Sequence, residues 1–146
     1  MEPSKTHTIC LGFCYNKAML NNIDLYITYF LQISIALTLI NVWLVHFSKP
    51  TKYRGKGAEN MLNEFKAYGL PVWFMYLVGV SKLTVAACFI TGIWFPVLVL
   101  PAAILLAMLM VGAVVMHMKV KDSLRRTTPA IGLLLITLVL IVLILS

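Results

Sequence analysis

The sequence predicts an all-α integral membrane protein, a four-helix bundle with a short amphipathic interfacial helix in its first loop. Three observations carry this. Of the 146 residues, 61% are hydrophobic and only 12% are charged, whereas a soluble domain is roughly 25% charged. Four windows are long and apolar enough for a hydrocarbon core about 30 Å thick, which takes about 20 residues per helix. Each is a continuous apolar run, unlike the alternating segments of about ten residues that build a membrane barrel. Helices are therefore expected, because they satisfy their own backbone groups where there is no water. A single domain over residues 1–146 follows, with no room for a soluble catalytic domain.

The elements follow in order. MEPSKTHTICLGFCYNKAMLNN shows no basic stretch, apolar core and cleavage site in sequence, so the first long helix is expected to act as its own insertion signal. Ile9, Leu11, Phe13, Met19 and Leu20 suit a short helix lying on the membrane. Cys10 and Cys14, with Cys88 in the second span, read as small apolar residues. They supply too few ligands for a metal site, and none is expected.

The first span, about Leu25–Phe47, carries Ser34, Thr38 and Asn41 at helical spacing, a polar stripe expected to face the bundle interior. In the loop that follows, AENMLNEFKAYGLP spaces Met61, Leu62, Phe65 and Tyr68 as one apolar face, with Gly69 as a C-cap and Pro71 opening the next helix. Glu59, Asn63, Glu64 and Lys66 are expected on its polar side. The second span, Val72–Thr91, holds a single charge, Lys82. The third, about Val97–Met118, offers small residues for close helix approach at Ala103, Ala107, Gly112 and Ala113. The fourth, Pro129–Leu145, is nearly all Leu, Ile and Val and is expected to face lipid or pack loosely.

Charge sets the orientation. Lys49, Lys52, Arg54, Lys56 and Lys66 lie in the first connection, and Lys119, Lys121, Arg125 and Arg126 around the third. Ahead of the first helix there are only Lys5 and Lys17. The basic loops are expected in the cytoplasm, or in the stroma or matrix of an organelle, with both termini opposite. The net charge of +7 is thus a topology signal and an attraction to anionic headgroups; no nucleic-acid partner is expected.

Several stretches together resemble the DoxX-like family of small four-helix membrane proteins: Ser48-Lys49-Pro50, FKAYGLP (Phe65–Pro71), YLVGVSKLTVAACFITG (Tyr76–Gly92) and LLAMLMVGAVVMHMK (Leu105–Lys119). The likeness extends distantly to the acetylcholine-receptor chaperone group. It implies a short-loop four-helix plan and, for some members, a place as a small subunit of a quinone-linked oxidoreductase or terminal oxidase, or in assembly of larger membrane proteins. Family members commonly carry a glutamate where this chain has Lys82, so here the charge is inverted.

The chain shows packing surfaces but no catalytic constellation, so the leading expectation is a non-catalytic accessory or assembly subunit in the lipid bilayer. Its partner would be a larger membrane complex, as in electron transport, or a second copy. The rival is a subunit holding a quinone or haem, with His46 and His117 ending the first and third spans at one depth. A third reading, an oligomeric transporter of protons or small solutes, rests on Lys82. A lysine at the bilayer centre costs on the order of 2.5–3.5 kcal/mol on insertion scales. It should face protein, and either lose its charge against the Ser34, Thr38 and Asn41 stripe or meet an acidic group or anionic cofactor from outside the chain.

Overall fold

The computed structural model describes residues 22–146, so the readings made for the N-terminal segment, including Cys10 and Cys14, lie outside the described residues. Helix α1 (Asn22–Ile40) continues through one π-helical turn, Asn41–Val45. Helix α2 is the short Met61–Ala67, and α3 (Val72–Thr91), α4 (Val99–Lys119) and α5 (Leu124–Leu145) follow. Four segments have the length and hydropathy to span a membrane: Ile23–Val45, Val72–Thr91, Pro96–Lys119 and Leu124–Leu145. They pack in a ring, α1 on α3, α3 on α4, α4 on α5 and α5 back on α1, while α2 lies on α3.

The start of the last span differs from its sequence reading. The helix begins at Leu124 and carries Pro129 inside it. The first four N–H groups of any helix have no intrahelical partner; Pro129 sits just beyond them, so the N–H that would have reached the Arg125 carbonyl is missing near the start of this helix.

Helix α2 is fixed at both ends by its own sequence. The Asn60 side chain accepts the Asn63 N–H at 2.8 Å, an N-cap. At the other end Gly69 takes φ +74°, the Leu70 N–H donates to Phe65 O and the Gly69 N–H to Lys66 O. That is a Schellman closure, and Leu70 packs in the same apolar cluster as Phe65. The same pattern ends α4 without glycine: Lys121 takes φ 56°, the Asp122 N–H donates to His117 O and the Lys121 N–H to Met118 O. This reversal folds Asp122 back beneath His117.

The main core lies toward the Gly92–Pro96 end. Ile35, Ala36 and Leu39 of α1 meet Val85, Ala86 and Phe89 of α3, Ala102, Ala103 and Leu106 of α4, and Leu140 of α5. Lipid offers no hydrophobic drive between helices, so close approach of alanines with larger side chains filling between them supplies the attraction. Ala103 takes the packing role expected of it, whereas Ala107 is half-buried, and Gly112 and Ala113 line an open space. A second, smaller cluster of Trp43, Met61, Phe65 and Met75 ties α1 and α2 to α3 at the basic end.

Candidate functional site

Between the ring of spans and α2, at the basic end, lies a cavity of about 650 Å³. Pockets of about 300–1,000 Å³ are the size that takes one small molecule. Its walls are largely apolar, with Phe74, Val78, Met108, Leu109, Met116 and Leu133 among them.

Its roof is a continuous polar network. Arg54, in the first loop, is 4% exposed and pairs with Glu64 of α2 at 3.0 Å. It also donates to the carbonyls of Lys49, at 3.0 Å, Phe47, at 3.2 Å, and His46, closing the end of the first span. The other Glu64 oxygen accepts the Gly55 N–H at 2.7 Å and the Tyr68 hydroxyl at 3.0 Å. The Tyr68 oxygen lies 3.3 Å from His117 Nδ1 and 3.4 Å from Nε2, and the two rings meet edge to face. His117 Nδ1 is 2.9 Å from Asp122 Oδ2, while Asp122 Oδ1 accepts the Lys56 N–H at 2.8 Å and Arg126 at 3.2 Å. The network joins the first loop and α2 to the α4–α5 turn.

Two of its members are shifted in proton affinity. Burial, reinforced by the Glu64 carboxylate, raises the Tyr68 phenol above its ordinary value, so it stays a neutral donor. Burial alone would raise Asp122, but hydrogen bonds from the Lys56 N–H, His117 and Arg126 outweigh it and hold that carboxyl below the usual range.

Below the network, Lys82 points into the cavity with its ammonium 5.4 Å from the centre of the Trp43 ring. Trp43 comes from the π-helical turn and lies in a notch at Gly79, where a Cβ would stand 2.6 Å from the ring. Only glycine permits that approach.

Of the residues singled out in sequence, His46, His117, Lys82, Thr38 and Asn41 line this one cavity and Ser34 does not. The stripe of Ser34, Thr38 and Asn41 does not turn into the packed interior. Thr38 and Asn41 are exposed, and the Thr38 hydroxyl donates to its own helix at Ser34 O, at 2.8 Å. The inward face of α1 runs instead through Thr28, Gln32, Ile35 and Leu39, all buried. Lys82 makes no hydrogen bond to the stripe among the described residues. Its ammonium lies instead over the aromatic face of Trp43.

The largest correction is Glu64. It is buried rather than on the outer polar side of α2, and its position was readable: Glu64 is three residues from Met61 and four from Tyr68, inside the stripe those residues define. Arg54 is likewise a buried partner and not a free surface charge. Trp43 and Asp122 carried no local signal, since their roles depend on Gly79 and on the α4 reversal.

A haem does not fit the two histidines. Both His117 nitrogens face Tyr68 or Asp122, which leaves His46 alone, its Nδ1 3.2 Å from its own Asn41 O, and a pair of axial histidines is not available. A quinone carbonyl fits better, as an acceptor for the Lys82 ammonium.

Architecture and site together define a small four-span membrane protein with an amphipathic cavity at its basic end. The DoxX-like family model matches residues 35–142, and the chain belongs to that family. No curated protein and no solved structure matches it.

Proposed function

We propose that this chain is a small accessory subunit that holds one lipid-soluble molecule, with an acceptor-bearing head, in its basic-end cavity. The cavity carries the reading: apolar walls for a hydrocarbon body, and the Lys82 ammonium where a head would sit. Quinone is the first class to test, because its carbonyls accept hydrogen bonds and its tail suits the walls. The basic connections are assigned to the cytoplasmic side, or to stroma or matrix, by their excess of Lys and Arg. A larger membrane complex is the partner this role calls for, since the described residues present no catalytic constellation.

The test is purification in a mild detergent, followed by mass spectrometry of the lipid extract and of the intact assembly. One amphipathic molecule per chain, retained together with a large partner, is the expected result. A chain that carries no such molecule and binds no added short-chain quinone would end this reading. Cysteine at Ser123 should react with an impermeant reagent only from the basic side; the opposite pattern would invert the orientation.

A further inference from the structure

We propose that the head of the molecule held here is an anion, in the chemistry of a single-chain carboxylate such as a long-chain fatty acid, seated on the Lys82 ammonium. This rests on the ligand-holding reading above and sharpens it.

The buried carboxylates at the basic end are already engaged by other groups. Glu64 uses one oxygen for Arg54 and the other for the Gly55 N–H and the Tyr68 hydroxyl. Asp122 is taken by His117, the Lys56 N–H and Arg126. Of the remaining described carboxylates, Asp24 is in the first turn of α1 at the far end, and Glu59 is exposed in the first loop. Lys82 therefore has no carboxylate within ion-pair distance among the described residues. The Trp43 face steadies the ammonium without cancelling its charge.

Depth and size restrict the ligand further. Lys82 starts near mid-span, but its ammonium lies over Trp43, whose ring packs against Gly79, almost one turn closer to the basic face. The head then sits inside the basic half of the bilayer, with Lys52 and Arg126 at the cavity wall to draw an anion in. A space of about 650 Å³ suits one chain. A neutral quinone would accept from the ammonium yet leave it without a counter-ion.

The experiment uses the full chain in nanodiscs of zwitterionic lipid, titrated with labelled oleate, with methyl oleate and with a short-chain quinone. Oleate should bind saturably and about tenfold or more tighter than its methyl ester, the difference between a charged and a neutral hydrogen-bonded pair. Lys82→Met should erase that preference, and Lys82→Arg should keep it. Folding of Lys82→Met is checked by helicity, and the arginine variant tests charge in a chain that keeps the cation. Equal binding of oleate and its ester, or tighter binding of the neutral quinone, with Lys82→Met unchanged, would overturn the anion and leave the ligand-holding reading intact. Saturable binding of none of the three would overturn both.

Discussion

The two ends of this bundle use the same small residues to opposite effect. Toward the Gly92–Pro96 end, Ala36, Ala86, Ala102 and Ala103 bring the helices together, and Phe89, Leu106 and Leu140 fill what remains. At the basic end, Gly112, Ala113 and Ala130 face a void. The difference lies in what joins the helices. A short turn links α3 to α4, whereas the chain from Phe47 to Leu70 inserts α2 and the Arg54 loop between the ends of the spans. That inserted unit is braced to the α4–α5 turn by Asp122, so the basic end is held apart by polar contacts instead of drawn in by packing. A small residue shortens a helix contact only where the partner helix is free to approach.

The brace can be broken directly, and that should give the largest effect. Glu64→Ala leaves Arg54 buried without its anion, a change that typically costs about 3–5 kcal/mol. Thermal unfolding in a fixed detergent should register it as the steepest loss of any single substitution at the basic end. If the loss is no larger than for an exposed residue such as Lys66, the brace is not what holds this end.

The contrast between the two ends is sharpened by adding volume to each. Ala103→Leu overfills a position with no exposure and should destabilise by about 1–3 kcal/mol. Gly112→Leu meets nothing within 4 Å of its Cβ, so its thermal midpoint should hold or rise, by up to about 1 kcal/mol from the helix preference alone. It should nevertheless exclude the ligand. Comparable losses from both would mean the cavity is closed in the working protein.

Acid probes the brace more gently. The Asp122 carboxyl is held below its ordinary value in the folded chain, so it contributes stability above the unfolded value of about 4 and loses it as the pH falls through the folded one. The difference in thermal midpoint between the parent and Asp122→Asn should be largest at neutral pH and shrink below about pH 4. A difference that is flat with pH would show that Asp122 is not clamped by its partners.

The smallest expected change is a gain. Lys121 takes a left-handed conformation that costs a non-glycine residue roughly 1–2 kcal/mol, offset in part by the freedom glycine adds to the unfolded chain. Lys121→Gly should therefore raise the midpoint slightly and leave the Asp122 contacts in place. A drop would assign the lysine side chain a contact of its own.

Much of the fold was legible because it is written in short windows. Apolar runs locate the four spans, Gly69 and Asn60 mark the ends of α2, and the position of Lys82 within its run places it deep in the bundle. Glu64 was legible too, by the spacing of Met61, Phe65 and Tyr68, although its charge argued for the surface; spacing won because Arg54 supplies a buried counter-ion. The stripe of Ser34, Thr38 and Asn41 was misread for the converse reason. Polar spacing marks a helix face without saying which neighbour that face meets, and a hydroxyl in a helix satisfies itself on its own backbone, as Thr38 does.

By itself the sequence determined that this is a helical membrane protein, how many times it crosses, and that one lysine lies within a span without an acidic residue in any of the four predicted spans. Those properties depend on transfer from water to lipid, which acts residue by residue. Only the tertiary structure decided that Lys82 meets Trp43 in a notch made by Gly79, that Asp122 returns to clasp His117 and the first loop, and that a cavity remains between them. Those outcomes depend on which helix faces lie together, and that is settled by contacts between residues far apart in the chain.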